Sequence, residues 1–377
     1  MGDPIYLDHN ATTPLLPAVL DAMLPYLSTH FGNPSSSHVY GRRAKEGVEL
    51  ARARVASLLG CDPEEVCFTS GGTEASNLAI RGVCEASARR HVVTSIVEHP
   101  ATLEPCAWLA RNGHRVTRVG VDASGRARLD EVAASIDDDT ALVSVMHANN
   151  ETGTLQPVAQ VAAMAHARGA LVHVDAAQSV GKVAVRVEDL GADLLSIAGH
   201  KLYAPKGVGA LYVRRGTALR PFARGAGHER GLRPGTENVA SIVGLGVACE
   251  VAARDLGANA AHLLATRERL WGALVEAVPG VALNGHVTER LPNTLNVRFP
   301  GVSGSALLAD VPEVAASTGS ACHAGGEAAS AVILAMGVDP AEALGSVRLT
   351  TGRSTTFEEV DRAAELLAFA WRRLRVT

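Results

Sequence analysis

The sequence predicts an α/β fold: a mainly parallel, seven-stranded-type sheet with helices on both faces, joined to a smaller α+β unit towards the C-terminus. Three observations point there. Between about residues 50 and 215, short continuous apolar runs alternate with helical stretches, as expected of strands buried on both faces. After about residue 250 the alternation gives way to a long helical stretch, two strand-like runs and a last helix. With 377 residues, 47% of them hydrophobic and 20% charged, the chain is long enough for one large and one smaller core.

The elements follow in order. "EVCFTS" (65–70) reads as a strand leading into helical "GGTEASNLAIRGVCEAS". "HVVTSIVEH" (91–99) precedes helical "ATLEPCAWLARNG", and "ALVSVMHANN" (141–150) precedes "PVAQVAAMAHARG". "ALVHVDAAQS" (170–179), "DLLSIAGHK" (193–201) and "GVGALYVRR" (207–215) complete the strand run. Further on, "LLATRERLWGALVEAV" reads as a helix and "TLNVRF" and "SVRLTT" as strands. "TFEEVDRAAELLAFAWRRLR" reads as a helix that opens on a Thr cap and acids and closes on arginines. We expect a large domain over 15–250 and a small one formed by 1–14 and 251–377.

The formal net charge of −4 gives no reason to expect nucleic acid or an anionic membrane as partner. No apolar run approaches membrane-spanning length, and the opening "MGDPIYLDHNATT" does not read as a signal peptide. The six cysteines (Cys61, Cys67, Cys84, Cys106, Cys249 and Cys322) form no C-x-x-C pair and no dense framework. That pattern suits reduced thiols and a cytoplasmic location. Cys322 stands apart: "GSACHAGG" (319–326) surrounds it with residues too small to bury it, which reads as an exposed, mobile loop carrying a working thiol.

In open parallel sheets ligands bind beyond the carboxyl ends of the strands. Those ends here are Ser70-Gly71-Gly72-Thr73, His99, Asn149-Asn150, Asp175 with Gln178, and His200-Lys201. "TSGGTEASN" is a glycine-rich strand-to-helix turn, suited to cradling a phosphate and equally to an ordinary capped turn; it is neither a Walker A loop nor a full dinucleotide fingerprint. Asp175 ends a very apolar strand, where a carboxylate needs a cation such as a protonated pyridine nitrogen, or else serves as a cap for the next turn. His99 suits stacking and proton exchange, or a structural role. The chain has only four lysines. Lys201 sits where a ligand would lie and suits Schiff-base chemistry, with Lys206 second. Lys45 and Lys182 read as solvated, on a polar helix face and in a loop.

Taken in order, these segments resemble the cysteine desulfurases, pyridoxal 5′-phosphate (PLP) enzymes of fold type I in the class V aminotransferase group. The resemblance rests on "YLDHNATTP" (6–14), "FGNPSSSH" (31–38), "FTSGGTEASNLAI" (68–80), "EHPA" (98–101) and "HANNETGTLQP" (147–157). It continues through "HVDAAQSVGK" (173–182), "GHKLYAPKGVGALYVRR" (200–215), "GHERGLRPGTENV" (227–239), "STGSAC" (317–322) and "VRLTTGR" (347–353). It implies that Lys201 holds PLP covalently, Asp175 pairs with the pyridine nitrogen, Gln178 with the ring hydroxyl, and His99 stacks on the ring. Thr73, the backbone around Gly72, and His200 would hold the phosphate, and Thr236 would reach the phosphate of a partner subunit in a homodimer. Asn150 and Arg348 would receive the substrate carboxylate, with Asn33 lining the same pocket. Cys322, deprotonated with help from His99, would take sulfur from L-cysteine as a persulfide and deliver it to an acceptor protein. No resident metal is implied.

The chain departs from the family pattern at two points. Ala198 stands where many relatives carry a phosphate-binding serine, which puts one cofactor contact in doubt. His323 follows Cys322 where Ser or Thr is usual, and "ACH" with "RPGTEN" is similar to selenocysteine lyases, so L-selenocysteine is the alternative substrate. Transamination, a non-catalytic sulfur carrier or metal module built on Cys322 and His323, and a Cys–His hydrolase are the other readings weighed. The module would have only two ligands, with no second pair at zinc-site spacing, and the hydrolase gives no reason for Asp175 and Lys201 at strand ends.

Overall fold

The computed structural model describes residues 3–319 and 328–376. Its strands are β1 (Ile5–Tyr6), β2 (Val66–Thr69), β3 (His91–Ser95), β4 (Arg115–Val119), β5 (Thr140–Met146) and β6 (Leu171–Asp175). They continue with β7 (Leu194–Ala198), β8 (Gly209–Val213), β9 (Ala282–Asn284), β10 (Thr294–Arg298), β11 (Val314–Ala315) and β12 (Ser346–Thr350). The helices are α1 (Pro17–Ser28), α2 (Val39–Leu59), α3 (Gly72–Ala86), α4 (Pro100–Arg111), α5 (Leu129–Ser135) and α6 (Val158–His166). Then follow α7 (Val187–Leu190), α8 (Val239–Ala277), α9 (Gly304–Ala309), α10 (Ala331–Ala335), α11 (Pro340–Ala343) and α12 (Phe357–Val376).

Seven strands form the main sheet in the order β2-β8-β7-β6-β5-β3-β4. The five from β7 to β4 run parallel, whereas β8 is antiparallel to both β7 and β2. The reversal has a simple cause: only residues 199–208 join β7 to β8, too few for the crossover a parallel return needs. Alternate side chains divide between two apolar layers, as a pleated strand requires. Val66, Val93, Val143, Val172, Leu195 and Ala210 pack with α1, α2, α6 and the first half of α8. Cys67, Val92, Leu142, Leu194 and Leu211 pack with α3 and α4 on the other face.

Strand β4 escaped the sequence reading. Its residues, Arg-Val-Thr-Arg-Val, are mostly exposed or half-buried because β4 is an edge strand, so no continuous apolar run marks it. The helix expected near 263–278 is also longer than its pattern suggested: α8 runs unbroken for 39 residues from Val239. Its first half is rich in Ala, Val and Gly because it lies against α1 and α2. A Cβ at Gly246 would sit 2.6 Å from the Cα of Ala51, so the two backbones touch only through glycine.

A second core gathers Leu7, Leu270 and Leu274 of α8, Leu295 and Val297, Val347 and Leu349, and the inner face of α12. Its sheet is antiparallel, β12-β10-β9, and β1 pairs with β11 alongside it. Helix α12 begins with a capping box. Thr356 Oγ1 accepts from the Glu359 N–H at 3.1 Å, and Glu359 Oε2 accepts from the Thr356 N–H at 2.8 Å.

One buried ion pair locks the loop after β8 onto the edge of the main sheet. Arg52 of α2 donates to both carboxylate oxygens of Glu229 at 2.8 Å, and Glu229 also accepts from the Phe68 N–H at 2.8 Å. Glu229 and Arg230 hold left-handed backbone angles, φ 46° and 57°, that the pairing must stabilise. Glu229→Ala takes the buried carboxylate from Arg52, which keeps only the Val66 carbonyl and the half-exposed Glu49, so urea unfolding should show a loss of about 3 kcal/mol.

Candidate active site

The carboxyl ends of the parallel strands open on a cavity of about 380 Å³. Of the residues picked out in the sequence, Gly72, Thr73, His99, Asn150, Asp175, Gln178, His200, Lys201 and Arg348 meet on its wall. Asn33 and Thr236 do not line it within the single chain. Both are exposed, and the Asn33 side-chain oxygen accepts from the Ser35 N–H at 2.9 Å. Cys322 and His323 lie outside the described residues.

Each element delivers its side chain for a local reason. Gly71, with φ 154°, lets β2 turn directly into α3, whose first turn has backbone N–H groups free of helical partners. A Cβ at Gly72 would come within 3.2 Å of the Ala198 Cβ, so these two small residues together leave the cradle open. Asp175 ends β6 and is 8% exposed, with Oδ1 accepting from the Ala177 N–H at 3.0 Å. It therefore caps its turn and lines the cavity as well.

Lys201 closes a single 3₁₀ turn, Gly199–Lys201, directly after β7. Tyr203 behind it is held at φ 62°, a strained angle for an aromatic residue. Thr13 supports that turn: its Oγ1 accepts from the Tyr203 N–H at 2.8 Å and donates to the His200 carbonyl at 2.9 Å. Burial pushes the Lys201 ammonium down to about 8, against the pull of Asp175, and Arg348 pushes the same way. An amine so placed is partly neutral at physiological pH and can act as a nucleophile.

His99 is the N-cap of α4, its Nδ1 accepting from the Ala101 N–H at 3.1 Å. Burial and the nearby Lys201 lower its proton affinity, with Asp175 opposing. The resting ring is thus neutral with its hydrogen on Nε2, so it offers a donor to the cavity. Acceptance of a thiol proton by His99, as expected from the sequence, requires the other tautomer. His200 is likewise held neutral, at about 4, by burial and by Lys201, and its Nδ1 lies 3.3 Å from Thr12 Oγ1.

Arg348, 6% exposed, donates from Nη2 to Asp8 Oδ1 at 2.7 Å and from Nη1 to the Asn150 carbonyl at 3.0 Å. Its buried Nε has no partner among the described residues. The backbone of Arg348 also bridges Ser317, its N–H donating to the Ser317 carbonyl at 2.7 Å. Ser330 donates to Glu151 Oε2 at 2.5 Å. The described residues on either side of the segment that holds Cys322 are therefore fastened beside the cavity.

Lys182 corrects an expectation. Far from being solvated, it is 5% exposed and sits one layer behind the wall, Nζ donating to Asn10 Oδ1 at 2.8 Å and to Gln178 Oε1 at 3.0 Å. Burial, then Lys201 and Arg348, push its proton affinity well below the ordinary lysine range. The sequence reading also missed Asp8, Asn10, Glu98 and Glu151. Two signals were available for Lys182: it follows Gln178 by four residues, and it is one of only four lysines. The five described cysteines are all free, and burial raises each thiol, to about 12 for Cys61, Cys84, Cys106 and Cys249.

These features suit a phosphorylated pyridoxal: a glycine-lined helix start for the phosphate, a carboxylate for a ring nitrogen, and an amine of lowered proton affinity. Ala198 offers no hydroxyl here, and Thr73 and His200 lie on the same wall. Comparison with known proteins agrees. Residues 5–363 match the family model described as aminotransferase class-V. A cysteine desulfurase of Trichormus azollae is 45% identical over 374 residues, covering 98% of this chain and 94% of that one. Cysteine desulfurase IscS of Anaeromyxobacter dehalogenans is 46% identical over 380 residues, covering 100% and 94%. A solved NifS-like protein superposes with a TM-score of 0.91 at 38% identity, covering 99% of this chain and 100% of the other.

Two buried carboxyls set a pH dependence. Burial raises Glu98 to about 8 and Glu151 to about 7, with Ser95 donating to Glu98 Oε1 at 2.6 Å. Folded pKa values above the unfolded ones mean that the stabilising proton is fully bound below about pH 4 and is lost as pH rises through 7 to 8. Between pH 6 and 9 the apoprotein should therefore lose stability faster than Glu98→Gln, the gap widening by roughly 2 kcal/mol in urea titrations.

Proposed function

We propose, from the premise that the chain belongs to the aminotransferase class-V family, that its cavity is the active site of a PLP-dependent cysteine desulfurase. Such an enzyme converts L-cysteine to L-alanine and passes the sulfur to an acceptor. The observation that carries the assignment of roles is the meeting of Lys201, Asp175 and the start of α3 on one cavity.

PLP, when bound, supplies a ring that withdraws electrons from the amino acid's Cα. The chain's residues do the rest. Lys201 would hold the cofactor and carry a proton to and from Cα. Asp175 would keep the ring nitrogen protonated, His99 would cover one ring face, and the start of α3 with Thr73 and His200 would hold the phosphate. Arg348, on the cavity wall with Asn150, would receive the substrate carboxylate. The Cβ–S bond of cysteine breaks, its sulfur joins the Cys322 thiolate as a persulfide, and Cβ takes a proton on the way to alanine. Burial leaves none of the five described thiols competent for that attack.

A homodimer completes this reading, with Thr236 reaching across to the phosphate of the partner's site. Leu20, Leu24 and Leu27 on one side of α1, with Phe31 beyond it, are 45–69% exposed, an apolar face that a second copy would cover. The large unit over 15–250 and the small unit over 1–14 and 251–377 are proposed as its two domains. No described helix is long and apolar enough to cross a membrane. A cytoplasmic location and a sulfur-acceptor protein belong to the same proposal.

The purified protein should turn yellow with PLP and bleach with borohydride. Lys201→Ala should lose the visible band and alanine formation by about 10³-fold, and full activity in that variant would sink the assignment. Cys322→Ala should abolish desulfuration of cysteine, and selenocysteine turnover that survives it would support a sulfur-specific role for the thiol; comparing cysteine with selenocysteine turnover by the parent protein separates the lyase alternative. In sedimentation runs the parent should be a dimer, and Leu24→Glu with Leu27→Glu should yield monomers with reduced activity.

A further inference from the structure

We propose that Lys182 is a positioning residue: it holds the Gln178 carboxamide with its oxygen committed, so that the cavity wall offers an N–H to the cofactor's ring oxygen. This rests on the PLP reading above.

The two ends of a carboxamide have nearly the same shape, so partners decide which end faces where. Lys182 Nζ carries N–H donors as amine or ammonium, and the Gln178 atom 3.0 Å from it is the oxygen because the other end of the carboxamide faces a carbonyl. The Asn10 carbonyl can only accept, so the Gln178 atom 2.9 Å from it is the nitrogen. Gln178 lines the cavity, and with its oxygen tied to Lys182 and one N–H given to Asn10, its second N–H remains. Asn10 is fixed by the same logic. Its Oδ1 accepts from Lys182 at 2.8 Å and from Asn293 Nδ2 at 3.0 Å, while its Nδ2 donates to Thr294 Oγ1 at 2.9 Å. Rotating either amide would set donor against donor.

Stability does not explain a lysine here. Both partners given above are neutral amide oxygens, and Lys201 and Arg348 repel the charge. An apolar side chain of similar length would avoid the desolvation cost. What the lysine nitrogen provides and a methyl group lacks is an N–H donor behind Gln178.

The test uses the full chain reconstituted with PLP and follows the pH titration of its visible band. A ring oxygen that receives an N–H bond holds its negative charge more readily, so the chromophore releases its proton at lower pH. Lys182→Met should raise the titration midpoint by about one unit, a tenfold change in proton affinity. Lys182→Arg, which still donates, should restore the parental midpoint. Lys201, Arg348, Asp175, His99 and His200 line the same cavity in every variant, from the turn after β7, β12, β6 and the cap of α4, and Asp8 of the N-terminal segment pairs with Arg348. A Lys182→Met midpoint equal to the parent's overturns the proposal. If that variant fails to fold by circular dichroism, Gln178→Glu decides: it can accept from Lys182 but has no N–H to offer, so the same rise is expected and an unchanged midpoint overturns it. A parent protein that gains no visible band overturns the cofactor reading itself, and this assignment with it.

Discussion

Three cations share one buried region of this protein. Lys201 and Arg348 lie on the cavity wall and Lys182 directly behind it, and each depresses or opposes the charge of another. Asp8 and Asp175 lie beside them, while burial raises Glu98 to about 8 and Glu151 to about 7, so these two acids supply less negative charge near neutral pH. The consequence is a region short of negative charge. An anionic ligand that carries a phosphate at one end and a carboxylate at the other would restore the balance, with α3 receiving one and Arg348 the other. The same shortage keeps an amine partly neutral in a place where solvent would have kept it charged.

This arrangement depends on residues 8–13, which tie the two cores together at the cavity floor. Asp8 holds Arg348, Asn10 orders Gln178, Lys182 and Asn293, and Thr13 supports the strained turn behind Lys201. A few residues before, Leu7 is already part of the second core. A segment without regular structure thus sets the positions of side chains that come from strands far apart in the chain.

The site was legible where chemistry coincides with a strand end. Asp175, His99 and Lys201 each stop an apolar run, and buried parallel strands announce themselves by that continuity. What could not be read was anything whose burial depends on a distant partner. Lys182 lies in a turn, and nothing nearby says that Asn10, 172 residues away, will enclose it. Glu98 and Glu151 look like ordinary exposed acids beside polar neighbours until the cavity closes over them. In the fold, β4 was hidden because an edge strand has one exposed side, and the first half of α8 because its glycines suggest a break when they in fact permit contact with α2.

Helix α8 carries a consequence of its own. Ile242, Leu245 and Cys249 belong to the first core, Leu270 and Leu274 to the second, and the rod between them is about 58 Å from end to end. A shared axle of this kind makes the halves mechanically inseparable. Cutting the chain anywhere along it would strip one half of its packing partner, so the molecule has two centres but folds and fails as one.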